Sequence, residues 1–289
     1  MSVANNCLFC ESNKIIVTQQ LGIHFNNKIF TWNKCKNCGL LFLLPHLSNS
    51  DKEIMYQYNY HETYYFKYTE DYRKQLQIIE SLKKGTFLDF GCGDAGLISF
   101  LQKNNYTVTG VEYDEKLLEI LTSKFEGINF IQESNFWKTT ATFDIIHMGD
   151  VLEHVSNPKE LMNQLKKRLN PGGVFFIEGP LECNPCLGYY CRKGTYFIRN
   201  ILNRESLRVK YPYHITYSNA RNQQLFFNQL QFEKINFKVG EKGWPYIDQL
   251  AEVKSPWLFL QYLVSKCSAF ISSFISGWGN RFMYIGKNK

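Results

Sequence analysis

The chain has 289 residues, of which 44% are hydrophobic, 20% charged and 16% aromatic, and it carries a formal net charge of +7. That balance excludes a disordered or fibrous chain and allows one large domain with a small one beside it. The modest positive excess favours anionic partners without naming one, and no run of about 18 uncharged apolar residues marks a membrane span.

The first segment, residues 1–47, is cysteine-bearing and rich in β-formers. Met1 to Asn6 is short and polar and lacks the basic and apolar regions of a signal peptide. Nine cysteines without an export signal predict a reducing compartment, the cytoplasm, where thiols pack or bind metal. Cys7-x2-Cys10 is followed, after 24 intervening residues, by Cys35-x2-Cys38. Each short knuckle places two thiolates near one point, so the four suit a tetrahedral Zn²⁺ ion. With every position a cysteine, the site would be closed and structural. Cys183, Cys186 and Cys191 form a second group without an obvious fourth ligand, although His214 is conceivable, and ordinary packing is expected there.

Residues 48–84, with Tyr56, Tyr58, Tyr60, Tyr64, Tyr65, Tyr68 and Tyr72 among charges, read as a helical linker and cap. From Gly85 the chain alternates short apolar runs with amphipathic stretches, the pattern of a parallel sheet covered by helices on both faces. Strands are predicted at 87–90, 107–112, 128–132, 143–148 and 173–178, with 232–239 and 281–285 supplying two more. Helices are predicted at 95–104, 115–125 and 158–169. The fold class is therefore α/β, a Rossmann-like sheet of seven strands over 85–289, with an insertion at about 181–217. Trp257 to Ile275 reads as a packed amphipathic helix in preference to a membrane-surface helix.

Gly91, Gly93 and Gly96 form G-x-G-x-x-G between a predicted strand and a predicted helix, the context that gives this motif meaning. Glu112 lies 21 residues after Gly91, at the end of the second strand, where a carboxylate can accept from both ribose hydroxyls. Asp89, just before the glycines, would repel a pyrophosphate but suits the charged amino-acid part of S-adenosylmethionine (SAM). Leu169-Asn170-Pro171-Gly172-Gly173 makes a turn before the fifth strand.

Taken with Gly110-Val111-Glu112, Phe143-Asp144-Ile145-Ile146 and Val151-Leu152-Glu153-His154-Val155, these motifs resemble the class I SAM-dependent methyltransferases. The resemblance covers about residues 85–180 and resumes at the end of the chain. The stretch Cys35-Lys36-Asn37-Cys38-Gly39-Leu40-Leu41-Phe42 with Pro45 is similar to a zinc-ribbon subgroup found in sugar, polysaccharide and natural-product pathways. The resemblance implies that Asp89, Gly91 and Gly93 hold the methionine end of SAM, that Glu112 holds the ribose, and that Tyr113 lies beside the adenine. It implies an adenine cover at 132–136. Relatives often carry Asp near Ser134, and this chain offers Glu133 and Ser134 in its place. The last strand is expected to run antiparallel to the others.

Methyl transfer to a hydroxyl or a carbon acid needs a base. His154 follows the fourth strand and His214 closes the insertion, so both are candidates for proton removal or acceptor contact. Asp150, Glu153 and His154 have i, i+3, i+4 spacing and could share one helix face around Mg²⁺, a pattern similar to ubiquinone-type and small-RNA O-methyltransferases. The plainer reading, a Glu-His-Val helix start, is preferred.

Residues 181–213 carry Arg192, Lys193, Arg199, Arg204, Arg208 and Lys210 against Glu182 and Glu205, with tyrosines interleaved. Such a lid suits a small anionic acceptor, a sugar or nucleotide-linked sugar. Nucleic acid is a rival acceptor, disfavoured because the basic residues concentrate in one lid. A lipid or quinone acceptor, with weak membrane-surface contact, is a second rival, and a non-catalytic SAM- and zinc-binding module is a third.

Overall fold

In this computed structural model the residues described are 6–18, 22–57, 72–82, 85–201, 211–242 and 250–288. The strands are β1 (Ile15–Val17), β2 (Ile23–Phe25), β3 (Lys28–Cys35), β4 (Leu41–Leu44), β5 (Thr86–Phe90), β6 (Thr107–Glu112), β7 (Asn129–Gln132), β8 (Phe143–Gly149), β9 (Leu169–Pro180), β10 (Thr216–Tyr217), β11 (Glu233–Gly240) and β12 (Arg281–Lys287). The helices are α1 (Asn49–Gln57), α2 (Arg73–Leu82), α3 (Gly96–Lys103), α4 (Glu115–Lys124), α5 (Glu133–Phe136), α6 (Pro158–Lys166), α7 (Leu187–Ile201), α8 (Ala220–Gln229) and α9 (Pro256–Phe274). Short 3-10 turns occupy Leu152–His154 and Leu250–Glu252.

Contacts divide the chain into two compact units. One comprises Met1–His46, Gly179–Gln229 and Phe237–Met283; the other comprises Leu47–Glu178, Leu230–Asn236 and Tyr284–Lys289. In the first unit an antiparallel sheet has the order β1-β3-β4-β10, with β2 on β3. Thr216 pairs with Phe42 and Tyr217 with Leu41, so the end of the 181–217 stretch adds a strand to the cysteine-bearing sheet. Tyr217 stacks on Trp32 at 4.2 Å between centroids, and Phe226 stacks on Phe9 at 4.5 Å.

The second unit carries most of a seven-stranded mixed sheet of order β11-β12-β9-β8-β5-β6-β7. Its central strands pair in parallel. They read as near-continuous apolar runs because helices cover both faces. Phe87, Leu88, Ile146, Phe175, Phe176 and Ile177 are fully buried there. β12 runs antiparallel to β9, as expected: the Asn288 amide donates to the Gly173 carbonyl, and the Leu181 amide to the Asn280 carbonyl.

Local chemistry explains the element ends. The Asp114 carboxylate accepts from the Leu117 amide at 3.0 Å and caps α4, while Asn157 caps α6 and Pro158 takes its first position. Helix α6 stops at Lys166, short of the predicted 169, because Leu169 already pairs with Phe143 and β9 starts there. The single turn α5 and the two-residue strand β10 are too short to leave a periodic signal. The Tyr-rich stretch from Tyr58 to Tyr68 lies outside the described residues, as do Arg204, Arg208 and Lys210.

Candidate functional site

The chain proceeds from β5 outward through β6 to β7, then returns to β8 on the other side of β5. Strand order reverses between β5 and β8, and the crevice at the carboxyl ends of such strands is where α/β sheets bind ligands. The carboxyl ends here carry Asp89, Glu112, Glu133, His147, Glu178 and the loop 149–154.

After β5 the backbone turns through Gly91 at φ 80° and Gly93 at φ 52°, left-handed values that favour glycine. A Cβ on Gly91 would also lie 2.6 Å from the Val151 methyl Cγ2, so this close approach of the two loops needs the missing side chain. The amide of Gly93 donates to Glu112 Oε2 at 3.0 Å. Glu112 Oε1 accepts from the amides of Tyr113 at 2.8 Å and Asp114 at 3.3 Å. The carboxylate is thus fixed at the mouth of the glycine turn. An acceptor-only group held there fits paired ribose hydroxyls.

Asp89 is buried, and its Oδ1 lies 2.7 Å from His147 Nδ1. The two residues are register partners on adjacent strands. On the other side of the ring, His147 Nε2 lies 3.6 Å from Glu178 Oε2, an ion-pair distance. Burial alone would push the imidazole down, but the charges of Asp89 and Glu178 and their contacts outweigh it and hold its pKa at about 9. His147 is therefore an imidazolium at neutral pH, clamped between two carboxylates. In the sequence this residue is one position of the apolar strand predicted at 143–148, and no role is expected of it. The usable signal was a lone histidine in a buried run, aligned with Asp89 on the neighbouring strand.

Tyr113 is half-buried, and burial, with Glu53, Glu133 and Asp114 nearby, raises its phenol. Glu133 accepts from the indole of Trp137 at 3.4 Å, whereas Ser134 is exposed and donates to Gln132 Oε1 at 2.7 Å. The Phe143-Asp144 motif serves the opposite edge: Asp144 Oδ2 accepts from the Thr86 amide at 2.9 Å and Oδ1 from Asn170 at 3.1 Å. It ties β5, β8 and β9 together at their amino ends.

His154 Nε2 lies 3.8 Å from Glu153 Oε1, beyond hydrogen-bond distance. The spacing of Asp150, Glu153 and His154 does not produce one helix face. Asp150 has φ 55° and the segment that follows is a single 3-10 turn, so α-helical geometry does not apply there. His214 is oriented by Glu182, with Nδ1 2.7 Å from Oε1. Ser218 donates its amide to the other oxygen at 3.4 Å. Burial, with Glu182 beside it, pushes the Cys183 thiol up to about 12, which keeps it neutral.

The four N-terminal cysteines converge. Sγ of Cys7 lies 3.5 Å from that of Cys38, Sγ of Cys10 lies 3.5 Å from that of Cys35, and all four lie within 4.8 Å of one another. Tetrahedral Zn²⁺ with bonds of about 2.3 Å needs sulfur separations of about 3.8 Å, a value between the 3.5 Å of these two pairs and the 4.8 Å that bounds them all. Asn37 donates to Cys10 Sγ at 3.5 Å, a contact that would orient a thiolate ligand.

Residues 60–237 match the family described as a methyltransferase domain. A ubiquinone biosynthesis O-methyltransferase of Coxiella burnetii is 33% identical over 137 residues, covering 44% of this chain and 58% of that protein. The protein of the same name from Hydrogenovibrio crunogenus is 31% identical over 116 residues, covering 37% and 46%. The chain thus spans only about half the length of these curated relatives. A solved SAM-dependent methyltransferase from Methanosarcina mazei superposes with TM-score 0.48 at 14% identity, covering 73% of this chain and 96% of that one. With more than half of its length inside the matching domain, the chain belongs to the methyltransferase-domain family.

Proposed function

We propose that the protein is a SAM-dependent methyltransferase acting on a small-molecule acceptor. One observation carries the reading. The glycine turn at Gly91 and Gly93, the Glu112 carboxylate bonded across it, and Asp89 clamped by His147 meet at the strand-order reversal. On this reading Asp89 attracts the ammonium of SAM, Glu112 accepts from its ribose hydroxyls, and the glycine backbone lets both approach closely. Tyr113 lies beside the adenine, with Glu133 and Ser134 as candidates for its amine. SAM supplies a methyl group on a sulfonium that is already a good leaving group. The protein's part is to align the acceptor, exclude water and remove a proton. His154 and the His214–Glu182 pair are the two candidate proton acceptors. An imidazole oriented by a carboxylate is a common general-base arrangement.

Cys7, Cys10, Cys35 and Cys38 are proposed to hold a structural Zn²⁺, supported by their sulfur separations. No magnesium site is proposed. The cytoplasm is the proposed compartment, supported by nine cysteines of which none is disulfide-bonded. No described helix is long and apolar enough to cross a membrane.

The basic bias of residues 181–213 supports an anionic acceptor such as a sugar phosphate or nucleotide-linked sugar. A second reading, an acceptor with an apolar tail, is favoured by the names of the curated relatives and by apolar side chains exposed on α7 and α9. Incubation with methyl-labelled SAM and fractionated extract tests both. Label in anionic small molecules supports the first reading and label in the lipid fraction the second. Label in RNA alone contradicts both.

A further inference from the structure

Helix α9 is inside out. Its boundaries are well encoded: Ser255 caps it through the Leu258 amide, Pro256 takes the first turn, and Gly277 at φ 82° follows its end. The face turned inward carries Ser265 and Ser268, 2% and 1% exposed. Ser268 Oγ accepts from the Leu187 amide at 3.2 Å, which ties α9 to the start of α7. The face turned outward carries Phe259, Leu260, Leu263, Phe270 and Phe274, the last two 67% and 74% exposed, with Trp257 beside them. The sequence of this stretch predicts a packed amphipathic helix. The helix is present, but the face it packs is the serine face.

Helix α7, which packs against α9, continues the pattern with exposed Tyr190, Phe197 and Ile198. A water-facing surface of this kind is expensive to leave bare and marks an interaction site. Its charge indicates the occupant. Across residues 187–201 and 250–283 the basic residues are Arg192, Lys193, Arg199, Lys254, Lys266 and Arg281, and the one acid is Glu252. Lys193, Lys254 and Lys266 are exposed. A second copy laid on this face would set basic border against basic border, whereas anionic lipid headgroups complement it. Apolar side chains that enter the acyl boundary with lysines at headgroup level are the signature of a helix lying in a membrane surface. A 19-residue helix gives an anchor about 28 Å long.

We propose that α7 and α9 form a membrane-surface anchor that docks this unit on anionic lipid bilayers. The anchor stands apart from the methyltransferase reading, because docking is measured without SAM or acceptor.

The test is co-sedimentation of the intact protein with vesicles of phosphatidylcholine alone and with phosphatidylglycerol added. Three lysines near an anionic surface, each worth roughly fivefold, predict about a hundredfold tighter binding to the anionic vesicles, lost as salt rises. The double variant Phe270→Ser/Phe274→Ser changes two exposed side chains and should bind at least about tenfold more weakly at an unchanged melting temperature. Should that variant fold poorly, Lys254→Glu/Lys266→Glu should remove the preference for anionic vesicles. Equal binding to both vesicle types, no binding to either, or a wild-type dimer that the double variant dissolves would each overturn the anchor.

Discussion

His147 Nδ1 lies 2.7 Å from Asp89 Oδ1, both side chains buried, at the point where strand order reverses in the sheet. The pair places a fixed positive charge behind the carboxylate proposed to receive the charged end of SAM. It also makes folding pH-dependent. His147 titrates near 9 in the folded chain and near 6.5 when unfolded. Because the folded value is the higher, its stabilisation is complete below about pH 6.5 and is lost as pH rises through about 9. The whole effect is on the order of 3 kcal/mol, from about 1.4 kcal/mol for each tenfold change in proton affinity. Denaturant unfolding of the wild type should show that loss between neutral pH and about pH 9.

Removing the imidazole should cost more than it gives. His147→Leu leaves Asp89 buried and unpaired, a loss of about 3–5 kcal/mol. The same variant should lack the wild type's stability decline across that pH range, which a mere packing defect would leave in place. Urea titrations of both proteins at neutral and alkaline pH check this.

Chelation should unfold the cysteine-bearing sheet. Cys35 is fully buried at the end of β3, so Cys35→Ser should lose zinc and sharply lower the melting temperature. Native mass spectrometry should find one zinc per wild-type chain and none in the variant. A wild type that stays metal-free and equally stable would contradict the site.

The two histidines are separable by kinetics. If the His214–Glu182 pair removes the acceptor proton, His214→Ala should lower kcat by about 10²- to 10⁴-fold with little change in SAM affinity. Glu182→Gln should lower kcat less and shift the pH–rate profile. The same loss in His154→Ala, with His214→Ala near wild type, would assign the role to His154.

The Rossmann-like sheet was legible because its central strands are buried on both faces and so appear as apolar runs punctuated by glycine. Gly91, Gly93 and Glu112 were legible because close backbone approach and a carboxylate at a strand end leave fixed spacings. His147 was not, since its partners come from residues 58 positions before it and 31 after it, and only strand register brings them together. The inward serine face of α9 escaped for a related reason. Periodicity tells which residues share a helix face, but not which face is covered.

Isothermal titration of the zinc-loaded protein with SAM decides whether the glycine turn and Glu112 form a SAM site. Saturable one-site binding by the wild type is expected, with a 10- to 100-fold loss in Glu112→Ala, about the value of hydrogen bonds to a charged acceptor. A wild type that does not bind SAM, or a Glu112→Ala variant that binds it equally well, would contradict the site described for this chain.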